Sequence, residues 1–170
     1  MAINKRTPHK KHGLEPDKKT FNEPENWTII AALNRVLILA RNSGLSDEFW
    51  AQCKSPLEFL SKELGLTNIQ IVVLAVLIEI GELVSPKRLT CYLGCSRLSL
   101  MMYSNEIEQL VAKRWAFRKV TREFGVQEKG YVIAKGVVEA LRQNKAFVPE
   151  KIDGLTEQQF VDRLEIYLNK

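Results

Sequence analysis

Residues 69–80 carry no polar side chain between Gln70 and Glu79. A helix winds at 3.6 residues per turn, so this stretch has no face to offer water and has to be surrounded by other elements. At twelve residues it is well short of the ~18 uninterrupted apolar residues of a membrane span. It therefore predicts the central buried helix of a globular fold, with no membrane partner. Its start is written locally. Thr67 and Gln70 have the spacing of a capping box, in which each side chain serves the other residue's amide. Gly81 ends it.

The flanking sequence supplies the elements that must cover this helix. Asn26 is placed to cap a helix from Trp27, with Ile29, Ile30, Leu33, Val36, Leu37 and Ala40 at helical spacing, stopped by Ser43-Gly44. Asp47, Phe49 and Trp50 form a second helical patch. Ser55-Pro56 is a start signal, because serine caps and proline fits the first turn. Leu57, Leu60 and Leu64 follow it, and Gly65 ends it. Ser85-Pro86 repeats the signal for a short helix reaching Tyr92 or Leu93. Gly94 then supplies a left-handed residue. Ser96 caps a long helix over residues 97–113, whose core positions are Leu100, Tyr103, Ile107 and Leu110.

Residues 115–121 are β-prone, residues 123–129 form a turn containing Gly125, and residues 130–133 return as a second strand. A closing helix follows over 137–144. A last helix is capped by Thr156, with Gln159 three residues on, and is striped by Phe160, Leu164 and Leu168. The expected class is mainly α with a small β-hairpin (α+β). Four regions are expected: a disordered basic tail (1–25), an N-terminal helical segment (26–65), a main domain (66–145), and a linker with a C-terminal helix (146–170). The helical pattern is still running at Lys170, so a further domain is expected downstream.

Charge narrows the functional classes. The net charge is +5, but residues 1–20 hold six basic side chains against two acidic ones. The other 150 residues carry 19 basic against 18 acidic. The folded body is close to neutral, and overall charge is weak support for a nucleic-acid partner. No apolar signal-peptide core follows the basic N-terminus. The three cysteines cannot all pair within one chain, so a reducing cytoplasm and free thiols are expected.

The run Leu89-Thr90-Cys91-Tyr92-Leu93-Gly94-Cys95-Ser96-Arg97, followed by Ile107-Glu108-Gln109-Leu110 and Arg114-Trp115, resembles the winged-helix superfamily over about residues 67–144. Gly65-Leu66-Thr67 with Ile69-Gln70, then Leu93-Gly94-Cys95-Ser96-Arg97-Leu98, looks like the N-terminal winged-helix domain of a group of bacterial AAA-family ATPases. Phe49-Trp50 and Phe59-Leu60 fit the same pattern. The resemblance implies a winged helix preceded by a helical extension, set ahead of an ATPase domain. No Gly-x-x-x-x-Gly-Lys-Ser/Thr phosphate loop occurs in these residues, so no cofactor is expected in this chain. ATP and Mg would belong to the downstream domain.

Four kinds of site can be weighed. The outward side of the long helix should carry Arg97, Leu98, Ser99, Met101, Met102, Asn105, Glu106 and Glu108. Only Arg97, Ser99 and Asn105 suit base edges, whereas methionine adapts to a protein partner's shape. Leu98, Met101, Met102 and Glu106 therefore make a docking face for another domain of the same protein, a partner protein or a second copy. The hairpin is the alternative. Lys113, Arg114, Arg118, Lys119, Arg122, Lys129 and Lys135 stand against Glu123 and Glu128, which could hold a DNA backbone or simply solvate the hairpin. DNA contacts would be Arg97, Ser99, Asn105, Arg118, Lys119, Arg122 and Lys129. Metal has little to bind: His9 and His12 lie in the tail, and Cys91 and Cys95, taken as buried thiols, lack the spacing of a zinc site. Catalysis has no histidine in the body to activate a nucleophile, and Glu79, Glu82, Glu106 and Glu108 read as surface charge. The expectation is a non-enzymatic interaction domain.

Overall fold

The computed structural model describes residues 22–149, together with Leu164 and Leu168. Over residues 22–149, eight helices and two strands follow in order: α1 (Ile29–Ala40), α2 (Asp47–Gln52), α3 (Lys54–Leu64), α4 (Asn68–Ile80), α5 (Pro86–Leu93), α6 (Arg97–Met101), α7 (Ser104–Ala112), β1 (Ala116–Glu123), β2 (Val126–Ile133) and α8 (Val137–Arg142). The fold is mainly α with a small antiparallel hairpin, as the sequence predicts. The basic tail up to residue 21, and Thr156, Gln159 and Phe160 of the expected last helix, lie outside the described residues. Leu164 and Leu168 are helical and exposed.

α4 is the central helix. Its residues from Ile69 through Leu77 are all buried. α1, α3, α5, α7 and β2 all pack against it. The N-terminal helices and the main region thus share one core, in which Val36, Leu60, Leu93 and Val137 are all inaccessible or nearly so. Burying a leucine, isoleucine or valine contributes about 1.5–3 kcal/mol, so α4 is the main energetic anchor. Gln70 is the buried polar residue of the core. Its Oε1 accepts from the Thr67 amide at 3.0 Å, the return half of the expected box. Its Nε2 donates to the Glu106 carbonyl at 2.8 Å, which fastens α7 to the start of α4.

Several local expectations are corrected. α1 starts at Ile29, not Trp27, because Thr28 Oγ1 accepts from the Ala31 amide at 3.2 Å. Ile30 is exposed and Leu37 only half-buried, since the helix turns Ile29, Leu33, Val36 and Leu39 inward. α3 starts at Lys54, ahead of the Ser55-Pro56 signal. Ser55 Oγ instead accepts from the Trp27 indole at 3.0 Å. Cys91 is exposed and Cys95 half-buried, so neither is a core thiol; Cys53 is buried.

The predicted long helix over 97–113 is broken into α6 and α7 at Met102-Tyr103. Ser104 Oγ donates to the Met101 carbonyl at 2.6 Å, occupying the acceptor that the next helical amide would have used. Tyr103 drops to φ −103°, ψ 10°, and the chain restarts one turn later.

Two backbone contacts fix the outer parts. The amides of Asn42 and Gly44 donate to the carbonyls of Tyr92 and Leu93 at 2.9 and 2.7 Å. The loop after α1 therefore caps the end of α5. Val84, between α4 and α5, bridges Tyr131 of β2 in both directions, at 2.9 and 3.0 Å. Gly130 sits beside that bridge, so close that a Cβ there would lie 2.5 Å from the Val84 carbonyl oxygen.

Candidate docking face, cleft and hairpin

Gly94 adopts φ +67° and ends α5, and Ser96 starts α6 by accepting from the Ser99 amide. This tight turn projects α6 from the body. Leu98 lies one helical turn before Met101 and Met102, and the three share a face. They are 75%, 59% and 80% exposed, while Leu100 on the opposite side is buried. The expected apolar face is present, and its three apolar members stand together.

Glu106 stands apart from them, on α7 beyond the break. It is half-buried and lines an open cleft of about 430 Å³ with Trp50, Ser61, Thr67, Asn68, Ile69 and Tyr103. The Trp50 and Tyr103 rings are 6.4 Å apart and tilted by 57°, and Trp50 also packs on Phe49. Helix α2 supplies Trp50, the start of α4 supplies the middle of the cleft, and the break supplies Tyr103. Helical spacing turns Tyr103 toward the core, and it does pack there half-buried while its ring also lines the cleft, which the spacing does not predict. The parts of the cleft are separated by up to 56 positions, and no local periodicity links them.

The residues assigned to DNA are dispersed. Arg97 is exposed on α6, and Asn105 is exposed on α7 after the break, so they do not form one straight reading helix. Ser99 is half-buried, and its hydroxyl is 2.9 Å from Ser96 Oγ within the cap. Arg118 pairs with Glu108 of α7, which also accepts from the Tyr131 hydroxyl at 3.0 Å. Lys113 donates to the Gly65 carbonyl at 3.3 Å.

The hairpin register sorts the remaining charge. Partners face the same side, so Arg118, Val120 and Arg122 share a face with Tyr131, Lys129 and Gln127. Lys119 and Glu123 share the other with Gly130, Glu128 and Val126. Arg122 and Lys129 thus lie diagonally on one face free of strand carboxylates, and both glutamates lie on the reverse. The expected seven-residue turn is only Phe124-Gly125, with φ +50° and +77°. Two positive φ values match the twist of the strands, which lets β1 and β2 continue through their charged outer halves. Phe124 is fully exposed at the tip and Val126 beside it is 69% exposed.

Among the described residues, no group of three or more His, Cys, Asp or Glu side chains could hold a metal ion. Burial pushes the Cys53 thiol up to about 12, with Arg35 a smaller opposing influence. Cys95 is raised too, chiefly by burial. Neither has the character of an activated nucleophile. Glu82 pairs with Arg88 at 2.8 Å, and Glu79 is exposed. No single described helix is long and apolar enough to cross a membrane, and α3 and α4 are bent by 89° to each other within the core. Comparison with protein-family models, curated proteins and solved structures finds no match to this chain.

Proposed function

We propose that this chain is a non-catalytic interaction domain of the winged-helix kind, which docks another protein surface through α6. The observation that carries the reading is the single helical turn presenting Leu98, Met101 and Met102 together. A fold gains nothing from three large apolar side chains held in water, and methionine suits a surface that must adapt to a partner. The order of α4, the Val84 bridge, α5, the tight turn, α6–α7 and the hairpin supports the winged-helix part. The resemblance in the sequence makes the N-terminal part of a larger AAA-type ATPase the parent we favour. ATP and Mg would be bound there by a downstream domain.

The test is a chain carrying Met101→Lys and Met102→Lys. Both residues are exposed, so the melting temperature should stay within about 2 °C of wild type. Association with the remaining domains of the parent protein, or with a second copy, should be lost. Unchanged association would remove the docking reading.

DNA binding is the second reading, favoured by Arg122 and Lys129 on one hairpin face. With Arg118 paired and Lys119 on the reverse, about two phosphates are within reach of that face. Log affinity for duplex DNA should then fall with log salt at a slope of about −2. Absence of binding at low salt would eliminate it.

A further inference from the structure

Phe124 is the least explained residue of the hairpin. It is completely exposed and its backbone is left-handed, so neither packing nor turn chemistry calls for a phenylalanine. A two-residue turn of this kind favours Asn-Gly or Asp-Gly, which accept positive φ without strain. The chain instead holds an aromatic ring at the far end of a projecting hairpin, with Val126 beside it and Arg122 two residues before it. On the same molecule is a cleft bordered by Trp50 and Tyr103, with Ser61, Thr67 and Asn68 in its lining and Glu106 at its edge. The Glu106 carboxylate has no ion pair or hydrogen bond among the described residues. Nor does the Arg122 guanidinium.

The tip offers the Phe124 ring with Arg122 on one hairpin face and Glu123 and Val126 on the other, and the cleft offers two rings with Glu106 at its edge, so the two match when the Arg122 face turns toward Glu106. At about 430 Å³ the cleft is large enough for one aromatic side chain and part of the next residue. Aromatic rings prefer tilted or edge-on neighbours with centroids about 4.5–7 Å apart, and the Trp50–Tyr103 pair already shows that geometry. We propose that the hairpin tip of one copy seats in the cleft of a second copy. Phe124 enters against Trp50 and Tyr103, and Arg122 faces Glu106. This inference rests on the docking reading and names its occupant.

The contact is small, below the ~800 Å² per partner of a standard interface, so the association is weak and concentration-dependent. In the longer parent it would act among tethered copies, where effective concentration is high.

Sedimentation velocity of the 170-residue chain, from about 10 µM to about 1 mM, reads the association. Wild type should shift from monomer toward larger species as concentration rises. Phe124→Asn supplies the favoured turn residue, so it should fold at least as well as wild type and remain monomeric. Glu106→Arg should also remain monomeric. Combining Glu106→Arg with Arg122→Glu in one chain should restore association. An equimolar mixture of Phe124→Asn, which keeps the cleft, and Glu106→Arg, which keeps the tip, should form a one-to-one complex. The proposal is overturned if wild type is monomeric throughout, if Phe124→Asn associates like wild type, or if the charge swap fails to rescue. The docking reading is judged separately, by the Met101 and Met102 substitutions. If those still abolish partner binding while the tip variants change nothing, docking stands and only this occupant is wrong.

Discussion

Replacing Gly130 with alanine is the sharpest probe of how the hairpin is held. A Cβ at this position would lie 2.5 Å from the Val84 carbonyl oxygen, 2.7 Å from the Val84 carbonyl carbon and 2.9 Å from the Ser85 nitrogen. All three are backbone atoms, so no side chain can rotate away. The strand and the α4–α5 loop must separate by most of an ångström. That separation stretches the two Val84–Tyr131 hydrogen bonds, now 2.9 and 3.0 Å, past useful length. Each lost bond costs about 0.5–1.5 kcal/mol net. Overpacking strain adds about 1–3 kcal/mol. The expected destabilisation is therefore about 2–6 kcal/mol. Urea unfolding followed by tryptophan fluorescence, to which Trp115, buried next to the start of β1, contributes beside Trp27 and Trp50, reads it. Hydrogen exchange at the Val84 and Tyr131 amides reports whether the bridge itself opens. Gly125→Ala is the control, because nothing lies within 4 Å of its added carbon and only the left-handed backbone penalises it. That penalty is about 1–2 kcal/mol. If Gly130→Ala costs no more than Gly125→Ala, and both bridge amides remain protected, the close approach does not fix the hairpin.

Other outcomes follow from particular contacts. Phe124→Asn should stabilise the chain by about 1 kcal/mol, since it relieves a left-handed aromatic residue; a lower urea midpoint would contradict the turn assignment. Asn144→Ala should cost about 1–2 kcal/mol, because Asn144 Oδ1 accepts from the Ile29 amide at 2.9 Å and ties the end of α8 to the start of α1. An unchanged thermal midpoint would show that this tie is idle. Cys91 should react with a thiol reagent in the native state while Cys53 reacts only on unfolding; equal rates would place Cys53 outside the core. The Cys53 thiol ionises near 9 when unfolded and only near 12 when folded. The unfolded chain therefore loses its proton first, and stability should fall with rising pH between those values by about 1.4 kcal/mol per pH unit. Cys53→Ala should flatten that part of the pH profile relative to wild type, and an identical slope would refute it.

What could be read from the residues alone was whatever had a short-range physical cause. The apolar run of α4, the serine-proline start of α5, and Gly94 with Ser96 each act within a few positions, and each appears where expected. Errors arose where a side chain had a competing partner. Ser55 looks like a cap but its hydroxyl serves Trp27, 28 positions away. Periodicity carries one helix through residue 103, but it does not register that the Ser104 hydroxyl takes the Met101 carbonyl. The exposed apolar trio Leu98, Met101 and Met102 was legible because helical spacing alone puts them on one face. The cleft was not, since Trp50, Ile69 and Tyr103 meet only through packing of α2, α4 and α7. Phe124-Gly125 is an unusual pair for a two-residue hairpin turn, and that departure is itself a signal in the sequence.

The capping of α5 by Asn42 and Gly44 bears on how this polypeptide can be dissected. Two stretches of chain about fifty positions apart jointly own the corner from which α6 departs. Cutting before residue 66 to isolate a minimal module would strip α1 and α3 from α4, baring its greasiest flank, and would orphan the Tyr92 and Leu93 carbonyls. Such a fragment should precipitate, and any transplant of the α6 surface onto another scaffold must carry the α1–α3 buttress with it.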